Sequence, residues 1–144
     1  MDKPGLLAFL QSHRLAAQSS VSLRSSPQAA IVGYAVSSDF EFVFDTLSRT
    51  RKVENLRMNP EIAHTIGGFV SGDERSVQCN GIADEPKGSE LERLKAIYFE
   101  KFPEGRARAD WDGITYFRVR PTWIRYGDYK ADPPLISEFT FDNS

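Results

Sequence analysis

The chain has one cysteine, Cys79, and two histidines, His13 and His64, in 144 residues. A single cysteine excludes an intramolecular disulfide. So small a stock of Cys and His leaves little for a zinc site or a histidine-based nucleophile, and no metal is expected. No apolar run approaches the ~20 residues that span a bilayer. Neither sign of charge dominates: 18 Lys and Arg stand against 20 Asp and Glu, a formal net charge of −2, so no global field gathers nucleic acid or membrane. G-x-G-x-x-G, a P-loop, a calcium loop and a Ser/His/Asp pattern are all missing.

What is present is the composition of a globular chain: 40% hydrophobic, 26% charged and 12% aromatic, mostly Phe. The length predicts one domain over residues 1–144. Asp2 and Lys3 precede a short Leu6–Leu10 patch with no secretory pattern, so the cytoplasm is the expected location.

Asp2 reads as the cap of a first helix with Pro4 in its first turn, and Leu6, Leu7 and Leu10 recur at helical spacing. Gln18 to Pro27 is polar, with a short strand at Val21-Ser22-Leu23. Ala29 to Val36 fits a strand buried on both sides. After a Ser37-Ser38-Asp39 turn, Phe40, Phe42, Phe44 and Thr46 alternate with Glu41, Val43 and Asp45, a strand with its Phe face inward and a hairpin partner to the one before it. Val53 to Met58 is a short helix stopped by Asn59-Pro60. Strands follow at Ile62–Ile66 and Val77–Ala83, where Gly81 marks a bulge or a close backbone approach. Ser89-x-x-Glu92 is a capping box for a helix ended by Pro103. Ile114–Arg120 and Trp123–Tyr126 read as two closing strands joined at Pro121, and a poorly specified tail starts at Asp132. Short turns between strands predict an antiparallel sheet, closed or half-closed.

The most informative stretch runs from Phe44 to Leu56, the end of a buried strand entering a helix. Thr46, Ser48 and Thr50 are spaced by two, and Arg49, Arg51 and Lys52 crowd the same junction. Hydroxyls, fixed cations and the free N–H groups of a helix start suit a phosphate monoester. A solvated polar turn with surface arginines is the alternative from these residues alone. The small residues of Gln28-Ala29-Ala30-Ile31 would let a planar ring approach the backbone, or simply pack a sheet. His64, between Ile62 and Ile66, reads as a half-buried histidine with its hydrogen bonds satisfied, and Cys79 as a small core residue.

These residues carry a resemblance. The segment Phe44-Asp45-Thr46-x-Ser48-x-Thr50-Arg51-Lys52-x-x-x-Leu56-x-x-Asn59-Pro60 is similar to the strand, Ser/Thr-Arg-Lys turn, short helix and Asn-Pro of the flavin-binding split-barrel proteins related to pyridoxamine 5′-phosphate oxidase. Gln28-Ala29-Ala30-Ile31-Val32-Gly33, Gln78-Cys79-Asn80-Gly81-Ile82-Ala83 and Arg120-Pro121-x-x-Ile124-Arg125-Tyr126 support it by order and spacing, over about Leu6 to Tyr129. The resemblance implies a mainly β fold, a six-stranded antiparallel split β-barrel with short flanking helices. It implies a homodimer with FMN in two clefts between the protomers. By position, Arg51 and Lys52 would bind the FMN phosphate with Thr50 and Ser48. Asp45, Thr46 and Leu47 would line the ribityl chain and ring, and Gln28, Ala29, Ala30 and Ile31 would run along the isoalloxazine edge. Ser76, Trp123 and Arg125 would come from the partner chain.

Departures from the pattern matter. The oxidase itself carries a substrate-phosphate lysine near the position of Gly33 and an arginine near Phe102, and an Arg-x-His element near the C-terminus has no counterpart here. The resemblance therefore implies the fold and the flavin site without that substrate. The expectation is an FMN oxidoreductase of unknown substrate, in which the flavin supplies the redox chemistry and no catalytic residue is assigned. The alternatives are a non-enzymatic flavin-binding or sensing module and a haem- or F420-binding member of the family, the scarcity of His arguing against haem. A small barrel binding single-stranded nucleic acid through Arg49 to Arg57 is a third, opposed by the net charge, and no nucleic acid or membrane partner is expected.

Overall fold

The structure, a computed structural model, describes residues 1–142. Helix α1 (Lys3–Gln11) opens the chain, with Asp2 accepting from the Gly5 N–H at 2.9 Å and Pro4 in the first turn. It buries Leu6, Phe9 and Leu10; of the expected Leu6, Leu7 and Leu10, Leu7 is only partly buried and Phe9 takes its place on the inner face. Strands β1 (Leu15–Val21), β2 (Pro27–Gly33), β3 (Ala35–Val36) and β4 (Phe42–Leu47) follow, then helix α2 (Arg51–Met58). Strands β5 (Glu61–Gly67) and β6 (Arg75–Asp84), helix α3 (Gly88–Lys101), a 3-10 turn (Pro103–Arg108), and strands β7 (Ile114–Asp128) and β8 (Leu135–Thr140) complete the order.

All strand pairs are antiparallel, in the order β2-β1-β5-β6-β7-β4-β3, with β8 on β7. Strand β7 organises the sheet. One edge pairs β6 along Arg118 to Asp128; the other pairs β4 along Ile114 to Val119 and then β8 along Trp123 to Asp128. Pro121, which has no N–H to give, falls in the gap between β4 and β8. Opposite it the register shifts between Asn80 and Gly81. A β-carbon on Gly81 would lie 2.7 Å from Val119 Cγ1 and 2.8 Å from the Arg120 carbonyl oxygen. Gly81 is thus both the bulge and the close approach read from the sequence. Gly81→Ala should destabilise the fold by about 1–3 kcal/mol through overpacking, seen as a lower urea midpoint; an unchanged midpoint would show that β7 can move aside.

Two cores flank β4 and β7. Phe42, Phe44, Phe117 and Val119 point into the barrel with α1, while Val43 and Tyr116 point outward under Leu94, Tyr98 and Phe99 of α3. Period-two alternation puts neighbours on opposite faces, and burial of both faces explains why Val43 is as buried as the Phe residues beside it.

The sequence expectation differs at several places. Eight strands are present among the described residues where six were expected. Strand β1 runs over Leu15–Val21, ahead of the expected Val21-Ser22-Leu23, and Ser22 to Ser26 form the turn into β2. Alternation in β1 is real, but of its inward residues Ala16, Gln18 and Ser20 the last two are polar and do not read as core. The strand expected over Ala29–Val36 breaks at Tyr34, so β2 pairs β1 and only Ala35 and Val36 form the hairpin with β4. Phe40 belongs to the turn, at a φ of 64°. Helix α3 starts at Gly88, which places Ser89 inside the first turn; no capping box forms, and Glu92 pairs with Lys95 at 3.7 Å. The two closing strands are one, and the tail contains β8. No helix among the described residues is long and apolar enough to cross a membrane.

Candidate functional site

The open edge of the barrel lies beside β2, the end strand of the sheet. Register places Gln28 opposite Ser20 and Ala30 opposite Gln18, so these four residues share the inner face of the β1–β2 pair. The start of α2 stands against that face. Together Gln18, Ser20, Gln28, Ala29, Ala30, Thr50, Arg51 and Lys52 line a cleft of about 390 Å³, within the roughly 300–1,000 Å³ usual for small-molecule sites.

The wall at α2 is cationic. Thr50 is the N-cap but makes no capping bond with its side chain. Its hydroxyl lies 3.2 Å from that of Thr46 instead, tying the end of β4 to the helix start. Arg51 is exposed, while Lys52 is half-buried. Burial pushes the Lys52 ammonium below its ordinary pKa, with the nearby Asp45 carboxylate opposing. The opposite floor is neutral and polar. Asn55, one turn beyond Arg51, donates from Nδ2 to Ser20 Oγ (3.1 Å) and to Gln28 Oε1 (2.8 Å). Gln18 meets His64 with 2.9 Å between the two Nε2 atoms.

His64 is fully inside the barrel, in contact with the Phe42 ring at 5.4 Å between centroids, and burial pushes its pKa down to about 4. Its Nδ1 has no hydrogen-bond partner among the described residues, so the half-buried, satisfied histidine read from the sequence is instead buried and half-satisfied. Cys79 is a core thiol pushed up to about 12 by burial, in keeping with its reading as packing.

Of the residues singled out by sequence, Gln28, Ala29, Ala30, Thr50, Arg51 and Lys52 converge on this cleft. Ile31 points to the other face of β2 and is exposed. Thr46 is buried behind Thr50. Asp45 turns toward α3, where Tyr98 Oη donates to it at 3.0 Å and Arg108 Nε at 3.0 Å. Leu47 pairs with Ile114, and the Ser48 N–H donates to the Gly113 carbonyl at 2.7 Å. Ser76, Trp123 and Arg125 lie on β6 and β7, outside the cleft of their own chain. Gln18, Ser20 and Asn55 were not singled out. No spacing signal marks the first two, because Ser19 between them is polar as well; Asn55 is signalled by its i+4 relation to Arg51.

Gly33 and Phe102 are neighbours: a β-carbon on Gly33 would lie 3.2 Å from Phe102 Cζ. The Phe102 ring, buried in the α3 core and covered by the Arg14 guanidinium at 4.6 Å, fills the space beside Gly33.

The structure is similar to several solved structures. A haem-binding protein from Mycobacterium smegmatis superimposes with a TM-score of 0.83 at 16% identity; the match covers 97% of this chain and 58% of that one. A haem storage protein from Vibrio cholerae gives 0.72 at 14% identity, covering 82% and 88%. A pyridoxamine 5′-phosphate oxidase-related, FMN-binding protein from Nostoc punctiforme gives 0.70 at 10% identity, covering 99% and 97%. The chain thus spans little more than half of the first of these. At such identities the likeness is one of fold, the split β-barrel. A search of curated proteins returns no match. The model of one family, described as pyridoxamine 5′-phosphate oxidase, matches residues 3–128; with the barrel and the basic turn at the head of α2 in place, that span is most of the chain, which belongs to this family.

Proposed function

We propose that the chain is an FMN-binding flavoprotein whose cleft between β1–β2 and α2 takes the phosphate end of the cofactor. The observation that carries this reading is the convergence of Arg51, Lys52 and Thr50 with Gln28 and Ser20 on one cleft. Two cations match the roughly two negative charges of a phosphate monoester near neutral pH, and the neutral side chains opposite add hydrogen-bonding groups without adding positive charge. This donor set fits the phosphate of FMN. Bound there, FMN would supply oxidation–reduction chemistry, and the chain would supply grip and orientation. Arg51 and Lys52 hold the anion, and the small side chain of Ala30 leaves room for a flat ring against the backbone of β2. Ser76, Trp123 and Arg125 would enter the site from a second copy of the chain. The outer face supports a homodimer: Ala29, Ser19, Ala63, Asn80 and Trp123 form one cross-strand row, with Ile31, Ala17, Thr65, Gln78 and Arg125 in the next. On β1, β2 and β5 these rows carry mostly small side chains, with Ile31 60% exposed among them, the kind of surface a partner covers.

The pair Gly33 and Phe102 argues against pyridoxamine phosphate as the substrate, because a ring fills the space where the family resemblance would put cations. Haem is the second reading, favoured by the haem-binding neighbours. Against it, neither histidine lines the cleft, His64 Nε2 is engaged by Gln18, and His13 Nδ1 lies 2.9 Å from the Phe9 carbonyl oxygen. Titrations of the purified chain with FMN and with haemin separate the two. Saturable quenching of flavin fluorescence with no sharp haem band is the expected result; a low-spin haem spectrum with no flavin response would replace this reading with the second. Light scattering should give a mass of two chains.

A further inference from the structure

We propose that Asn55 is a positioning residue that commits Ser20 and Gln28 to act as hydrogen-bond donors, making that end of the cleft selective for an oxyanion. This deepens the flavin-phosphate reading and rests on it for the identity of the ligand.

Asn55 is 5% exposed and sits on the face of α2 that also carries Arg51. Its Nδ2 has two protons, and both are used, one on Ser20 Oγ and one on Gln28 Oε1. A hydroxyl whose oxygen accepts from Asn55 keeps its own proton to give elsewhere, and a carboxamide whose oxygen is turned to Asn55 directs its NH2 the other way. Both acceptors line the cleft. The consequence is a concave surface offering Ser20 O–H, Gln28 N–H, Arg51 and Lys52 together. The reverse arrangement, with Asn55 Oδ1 accepting from both, would turn oxygen lone pairs toward the ligand and oppose an anion. A neutral side chain three atoms long, buried behind the cleft, thereby decides the polarity of two groups at its surface. Register separates this end from Gln18, two residues along β1 and under the Ala30 side of the cleft, so the effect is confined to the anionic part of a ligand.

The test uses the full chain and three probes: inorganic phosphate, read by amide shifts in the nitrogen-15 spectrum, and FMN and riboflavin, read by fluorescence titration. Asn55→Leu should weaken phosphate and FMN binding by at least about 10-fold, the worth of one hydrogen bond to a charged group, and leave riboflavin within about twofold. In a Ser20→Ala/Gln28→Leu background the same change should alter FMN affinity by less than about twofold, because Asn55 acts only through those two side chains. An equal loss in both backgrounds, or an equal loss for riboflavin and FMN, would overturn the proposal. Should Asn55→Leu fail to fold, the Ser20→Ala/Gln28→Leu variant carries the test: it should show the same loss for FMN, and unchanged affinity would overturn the proposal. A parent chain that answers to phosphate but not to FMN would refute the flavin reading and leave the oxyanion site standing; no answer to either would refute both.

Discussion

Replacing Arg51 and Lys52 together by alanine should weaken FMN binding by roughly 10²- to 10⁴-fold, since each hydrogen bond between charged groups is worth about 1.5–3 kcal/mol. Riboflavin, which lacks the phosphate, should bind parent and variant alike. The contrast isolates the anion from the ring. Stability should hardly move, because Arg51 is exposed and no ion pair is seen for either side chain among the described residues. The loss should be largest at low salt and shrink as salt screens the exposed guanidinium, while the half-buried Lys52 contribution persists. A fluorescence titration of both ligands at two ionic strengths provides the check. Equal FMN affinity in parent and variant would remove both residues from the site. Equal losses for FMN and riboflavin would mean that they shape the cleft without gripping phosphate.

The parts of this site legible in the sequence are those whose chemistry is local. Thr50, Arg51 and Lys52 are contiguous, and a strand running into a helix places them in one turn whatever the rest of the chain does. Gln28 to Ala30 stood out through small side chains on a strand. What the sequence hid is the pairing. Ser20 and Gln28 are joined through Asn55, which lies 35 residues from the first and 27 from the second. Only the register of β1 on β2 and the packing of α2 reveal that junction. Strand β1 was misplaced for a related reason: Gln18 and Ser20 face inward as polar residues, so an apolar-alternation reading slides past them. The continuity of β7 was hidden because Pro121 is normally a strand breaker, yet here it occupies a position opposite Gly81 where the ladder is already shifted. Asp45 was legible as a strand residue at the junction, but not as one turned outward, since its face depends on the α3 residue Tyr98 and on Arg108.

The buried histidine gives the fold a pH dependence that one substitution should remove. Burial holds His64 neutral in the folded chain, with a pKa of about 4 against 6.5 in an unfolded chain. The unfolded state therefore binds the extra proton first as pH falls. The stability contributed by the neutral ring is intact above about pH 6.5 and is lost progressively down to about pH 4, a total of about 3 kcal/mol. No charged group contributes to the shift, so neither salt nor a distant substitution should abolish it. His64→Leu has nothing to protonate, but it leaves the buried Gln18 Nε2 without its partner, so at pH 7.5 it should be less stable than the parent by about 1–3 kcal/mol. Between pH 7.5 and pH 5 the variant should gain about 2 kcal/mol on the parent. Carboxylates such as Glu41, held below its usual range by Arg93, weaken both proteins in acid and cancel in the comparison. Urea unfolding of both chains from pH 4.5 to 7.5 measures the difference directly. A difference between the curves that changes below pH 6.5 fits a histidine kept neutral by burial. Parallel curves would mean that His64 finds a proton acceptor in the folded chain, and Gln18 would then be the group whose amide had turned to provide it.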